Sequence, residues 1–179
     1  MSYELEWADL PEPAAAARER FQAWVDSGMP SEQAQTCAEP WFALQEAFQF
    51  DLNIAGMSVC REGMRRVGMS FQAEPQPFPV WPFEGLEDWR AADQSRRDAY
   101  EAAERAVLSQ SVPGQIGIPE FKLRSNDSWL VSPKEIEQAL DRYEASPAEL
   151  RAELEADELW CDWLGWLRET VTHGGFRVG

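Results

Sequence analysis

The sequence predicts a mainly α protein: a compact multi-helix domain of about six or seven helices with one small antiparallel β-hairpin. Three observations predict it. Apolar residues recur at helical spacing through most of the chain, two Ser-Pro-x-Glu segments open helices in the carboxyl-terminal third, and short apolar runs flank a Ser-Asn-Asp-Ser turn. The chain has 179 residues, 44% of them hydrophobic and nine of them tryptophan, enough to bury roughly two-thirds of its unfolded surface without a metal or disulfide. It divides into an amino-terminal helical part (1–73), a proline- and aromatic-rich strap (74–85) and a part with a long helix, the hairpin and the last helices (86–179). These parts are expected to pack as one domain.

The first helix is predicted over Pro13 to Ser27, where Ala14, Ala17, Phe21, Trp24 and Val25 share a stripe and Gly28 stands at the left-handed stop. A second begins near Ser31. Pro40 suits the first turn of a third, which carries Trp41, Leu44 and Phe48. Met57, Cys60, Met64 and Val67 mark a fourth, ended by Gly68, with Arg61, Arg65 and Arg66 to one side. Pro75, Pro77, Pro79 and Pro82 then forbid helix, and the alternating Phe78, Val80, Trp81 and Phe83 predict an extended strap laid across the helices. Leu86 to Gln110 reads as the longest helix, with Trp89, Arg96, Tyr100, Ala103 and Val107 on one side. Beyond Pro113 and Gly114, the runs Gln115–Ile118, Glu120–Arg124 and Trp129–Val131 around the turn Ser125–Ser128 give the hairpin. Ser132, Pro133 and Glu135 form a capping box that Ser146, Pro147 and Glu149 repeat. The last helix, beginning after Asp157, sets Trp160, Trp163, Leu164, Leu167 and Val171 on one stripe and stops at Gly174 and Gly175.

Thirty-two acidic against sixteen basic residues leave a formal charge of -16. The excess is uneven: residues 1–50 hold nine acids against Arg18 and Arg20 alone. Such a field repels phosphates and anionic lipid headgroups and speeds encounter with a basic protein, so no direct nucleic-acid or membrane partner is expected. Cys37, Cys60 and Cys161 lack the paired spacing of zinc or redox sites and read as buried free thiols. Residues 1–9 lack the basic start and apolar run of a signal peptide, which makes a cytoplasmic location the expectation. Fourteen arginines against two lysines match the usage of GC-rich bacterial or phage genomes.

Catalytic motifs are scarce. His173 is the only histidine, which removes every site built on two imidazoles, and its place before Gly174 suits a helix end. The segment Gly56-Met57-Ser58-Val59-Cys60 lacks the second glycine of a nucleophile elbow. Gly114-Gln115-Ile116-Gly117 resembles a backbone clamp for RNA but has no basic patch and reads as a turn. No catalytic residue and no cofactor is assigned. Asp51, Asn53, Gly56 and Glu62 fall at the first, third, sixth and twelfth positions of a calcium-binding loop, although Ala55 and Ser58 break that pattern; Asp51, Asn53 and Glu62 are thus the candidate metal ligands. Trp166 lies off the final stripe, with Asp162 and Glu169 one turn away on either side. It is read as an aromatic anchor ringed by acid, and Trp7, Glu4 and Glu6 as further partner-binding residues. The leading functional expectation is an acidic module that binds a basic protein, like an immunity protein, antitoxin or inhibitor. The alternatives are a carboxylate- or divalent-metal-dependent enzyme around Asp51, Asn126 and Asp127, and a structural subunit of a larger phage or multiprotein assembly.

Overall fold

The computed structural model describes residues 2–179 and, of Glu46, the backbone alone. The chain opens on a strand, β1 (Ser2–Trp7), followed by α1 (Glu12–Asp26), α2 (Ala34–Cys37), α3 (Glu39–Phe48), β2 (Gln49–Asn53) and α4 (Ile54–Arg66). A short strand β3 (Ser70–Phe71) leads into the strap, then α5 (Leu86–Ala91), α6 (Gln94–Leu108), β4 (Ile118–Pro119) and β5 (Trp129–Val131). Three helices close the chain, α7 (Pro133–Glu144), α8 (Ala148–Leu154) and α9 (Glu158–Thr170), before a last strand β6 (Phe176–Val178). The protein is mainly α with one small antiparallel sheet, and no described helix is long and apolar enough to cross a membrane.

The sheet is antiparallel throughout, in the order β2-β1-β6-β5. Its inward face carries Tyr3, Leu5, Leu52, Trp129, Val131, Phe176 and Val178, all buried. Beneath it lie α4 (Met57, Cys60, Met64), α7 (Ile136, Ala139, Tyr143) and α9 (Trp160, Trp163, Leu164, Leu167). Each fully buried aliphatic or phenylalanine side chain in this layer contributes about 1.5–3 kcal/mol. A smaller core of Ala14, Ala17, Trp41 and Phe48 joins α1 to α3, and Trp7 and Leu10 pack against it.

The antiparallel element is not the hairpin that the sequence suggests. Trp129–Val131 is a strand, but its partner is Phe176–Val178, and Glu120–Leu123 winds into a buried 3-10 turn. The reason is Lys122. Its ammonium reaches into the interior, donating to the Leu130 carbonyl at 2.7 Å and to both carboxylate oxygens of Glu135 at 2.8 Å. A carbonyl on the outer edge of β5 is therefore taken by a side chain, and no second strand can pair there. Of the two capping boxes, that of Ser132 and Glu135 closes in both directions. In the other, the Ser146 hydroxyl donates back to the Tyr143 carbonyl and leaves Pro147 at the cap of α8.

The long helix predicted over Leu86–Gln110 is two helices. Asp93 breaks it by accepting the Arg96 N–H at 2.9 Å as a fresh N-cap. No residue of α5 or α6 is buried. The two helices are held to the strap by an aromatic cluster of Trp81, Phe83, Trp89 and Tyr100 and by the Arg96 guanidinium 4.4 Å over the Phe83 ring. The strap meets the body where Phe78 packs on Trp129 at 5.3 Å. Phe83 is buried as the sequence reading requires, whereas Phe78 and Trp81 stay two-fifths exposed and Val80 is 89% exposed.

Candidate protein-binding face

Alternation along β1 turns Tyr3 and Leu5 into the core, so Glu4 and Glu6 stand on the outward face of the sheet. On β2 the same alternation buries Leu52 and turns Asp51 outward, directly opposite Glu4. The spacing of this pair follows from the ladder. Glu4 exchanges both of its backbone hydrogen bonds with Gly179, at 2.9 and 2.8 Å, on the β6 side. Glu4 and Asp51 are therefore a non-hydrogen-bonded pair, the kind whose Cα atoms approach to about 4.5 Å and whose side chains lie closest. Both carboxylates are exposed, and neither has an ion-pair partner among the described residues. Like charges directly opposite each other cost a strand pair roughly 0.2–1 kcal/mol.

Glu6 is treated differently. It faces Gln49 on one side and Arg177 on the other, and Arg18 of α1 reaches it at 2.5 Å. Burial pushes its carboxyl above the ordinary value, while Arg18 and then Arg177 pull it down and Glu4 again raises it. The result is a ridge with one answered and two unanswered carboxylates. It is bordered by two depressions that meet at Gln49: one of ≈ 310 Å³ beside Glu4, Glu6, Trp7 and Arg18, the other of ≈ 380 Å³ between Asp51, Gln45 and Phe42. Phe42, 54% exposed on α3, supplies an apolar wall next to Asp51. Two unpaired carboxylates with an apolar wall can take the cationic head and aliphatic stem of a lysine or arginine side chain.

Of the residues singled out from the sequence, Glu4 and Glu6 meet on this face, whereas Trp7, directly opposite the buried Phe176, turns to the inner side. Trp7 does not protrude: it is half-buried and stacked on His173 at 3.6 Å, with an interplanar angle of 5°. Trp166 is not an exposed anchor. It is 7% exposed and fills the core between Phe176 at 4.9 Å and Phe50 at 5.4 Å, because the sheet covers the side of α9 that the helical stripe left unassigned. Asp162 and Glu169 remain exposed on α9, while the tryptophans between them, Trp163 and Trp166, are buried.

The calcium-loop reading fails because its first three positions are strand. Asp51 points out from β2, Leu52 is buried, the Asn53 side chain caps α4 by accepting the Gly56 N–H at 2.8 Å, and Glu62 pairs with Arg65. Among the described residues, no three His, Cys, Asp or Glu side chains gather as a metal would require, and the Asn126–Asp127 turn instead ties to Ser2 through the Asn126 amide. Of the cysteines expected to be buried, only Cys60 is; burial pushes its thiol up to about 12, while Cys37 is half-buried and Cys161 exposed.

The contributions of Asp51, Phe42 and Gln45 to this face escaped the sequence reading. Two signals stood in view: the Tyr3-Glu4-Leu5-Glu6-Trp7 alternation and the Phe50-Asp51-Leu52 alternation, each of period two. Comparison with protein-family models, with curated proteins and with solved structures gives no match.

Proposed function

We propose that this chain is a protein-binding module that receives a basic protein partner on the outward face of its sheet, in the manner of an immunity protein, antitoxin or inhibitor that covers a nucleic-acid-binding surface. The observation that carries the reading is the Glu4–Asp51 pair, two exposed like charges held in the closest register of a strand pair with no ion-pair partner among the described residues. An unfavourable pair of this kind becomes favourable when a partner's cation sits between the carboxylates. The distribution of ion pairs supports the same reading: of the described acidic side chains in residues 2–51, Glu6 alone is in an ion pair. That quarter of the chain therefore keeps its negative field for steering. The arginine-rich composition fits a bacterial or phage source, and the partner is met in the cytoplasm.

The test is affinity capture with the wild-type chain and with a Glu4→Gln/Asp51→Asn double variant. The reading requires at least one basic protein that the wild type retains and the variant releases at lower salt. Identical captured sets with identical salt elution contradict it.

The exposed apolar strap favours a second reading, a subunit of a larger assembly. Phe78, Val80, Trp81 and Leu86 are all exposed on one segment. In that case the purified chain self-associates, and Val80→Ser/Trp81→Ser disperses it in sedimentation velocity; a wild-type monomer across the concentration range removes this reading.

A further inference from the structure

Between the ends of α4 and α7 lies a cavity of ≈ 480 Å³ whose lining includes Arg66, Arg142, Ser146, Phe71, Ile116 and Pro147. Among the described residues not one carboxylate lines it, in a chain with twice as many acids as bases. From this cavity we infer a second site, independent of the acidic sheet face: a pocket for a small organic phosphate monoester with an apolar body, its phosphate held by Arg142 and Arg66.

The folded chain builds this pocket from three directions. Arg66 stands in the last turn of α4 and Arg142 in the last turn of α7. The third wall is the Gly114-Gln115-Ile116-Gly117 loop, pinned against the end of α4 by the parallel pair β3–β4 and by the Ile118 N–H on the Met69 carbonyl at 2.9 Å. Gly117 is obligatory there: its φ is +104°, and a Cβ would lie 2.4 Å from the Met69 carbonyl oxygen. The Gly-x-x-Gly element thus has a structural reason for both its sequence and its place.

Arginines at helix carboxyl ends commonly serve the helix carbonyls. Here the carbonyls of Met64, Arg65, Tyr143 and Glu144 are already occupied. Met69 and Gly68 donate their N–H groups to Met64 and Arg65, Ser146 donates to Tyr143, and Arg151 donates to Glu144. The Arg142 guanidinium makes no hydrogen bond or ion pair among the described residues. Arg66 spends one nitrogen on Glu153 at 2.8 Å, and that glutamate is 64% exposed outside the cavity. Two guanidinium forks with spare donors match the oxygens of a phosphate, and a dianion answers both charges where a monocarboxylate answers one. Phe71, Val67, Pro147 and the 48% exposed Ile116 give the rest of the ligand an apolar wall. The volume falls within the range of about 300–1,000 Å³ usual for small-molecule sites.

The experiment is an amide NMR titration of the full chain with phenyl phosphate, inorganic phosphate and benzoate, at constant ionic strength. Phenyl phosphate shifts the amides of Gly68, Gln115 and Ser146 saturably and binds at least about tenfold tighter than either control. Arg142→Gln weakens it by at least about tenfold with an unchanged melting temperature. Glu153→Gln, which frees Arg66, tightens it, an effect that a merely structural ion pair would not give. Unsaturable shifts, equal binding of benzoate or inorganic phosphate, an unaltered affinity in Arg142→Gln or weaker binding in Glu153→Gln each overturn the assignment. The sheet-face variant Glu4→Gln/Asp51→Asn binds phenyl phosphate like the wild type, which separates this site from the protein-binding face.

Discussion

Gly63 stands inside α4 because the Trp160 ring lies on it: a Cβ there would come within 2.5 Å of the indole. Both residues are buried. Gly63→Ala gains about 1 kcal/mol of helix propensity but overpacks the core by about 1–3 kcal/mol, so a net loss of stability is expected in urea denaturation. The Lys122–Glu135 pair gives a second test. Burial pulls the Lys122 ammonium below its ordinary value and Glu135 pulls it back up. Glu135→Gln leaves that ammonium buried without its carboxylate, at a cost of about 3–5 kcal/mol, whereas Lys122→Met leaves a carboxylate that still accepts from the Ser132 N–H and hydroxyl and costs less. Equal losses in the two variants would contradict this account of the pair. Glu120 supplies a pH test. Hydrogen bonds from Arg65 foremost, and from Arg124, hold its carboxyl below the ordinary value against burial. A depressed carboxylate stabilises above its unfolded pKa of 4.5 and loses that contribution as pH falls through the folded value. The stability gap between wild type and Glu120→Gln therefore closes on acidification below pH 4.5; a gap independent of pH would show that Glu120 acts through packing alone.

At the scale of elements, packing sorts the helices into two kinds. The helices α4, α7 and α9 bury a full face under the sheet, while α6 buries no residue and hangs on an aromatic cluster. Hydrogen exchange should therefore proceed through α6 at least about a hundredfold faster than through α4 and α9, reflecting local opening without global unfolding. Comparable protection in α6 would mean that the strap clamps it far better than these contacts allow. This division also explains what could be read from the sequence. Helix starts and stops that depend on local chemistry were legible: Ser132 with Glu135, Gly28 after α1, Gly68 after α4. The split of the long helix was not, because Asp93 looks like one more polar residue until its carboxylate caps Arg96. Nor was the partner of β5, since Trp129–Val131 pairs with a strand that begins 45 residues further on, and the nearer candidate is displaced by a buried lysine. Half of the candidate site was legible, Glu4 and Glu6, through composition. The other half, Asp51 and Phe42, needed the register that brings residues 4 and 51 face to face.

For the molecule as a whole, a charge of -16 sets a long-range field, and the arrangement of its unpaired acids decides where a cation is received. The proposed receiving point is Glu4 and Asp51, beside Phe42, where the like-charged pair gives the free protein a small electrostatic strain. The most direct measurement is calorimetric titration of acetyl-pentaarginine amide into three proteins: the wild type, Glu4→Gln/Asp51→Asn, and Glu137→Gln/Asp141→Asn. The last removes the same charge from an exposed and unpaired helix surface of α7. The sheet-face variant is predicted to lose at least about tenfold in affinity while the helix variant changes by less than about twofold. Equal losses in the two variants would mean that the peptide senses net charge alone, and would contradict a receiving face on the sheet.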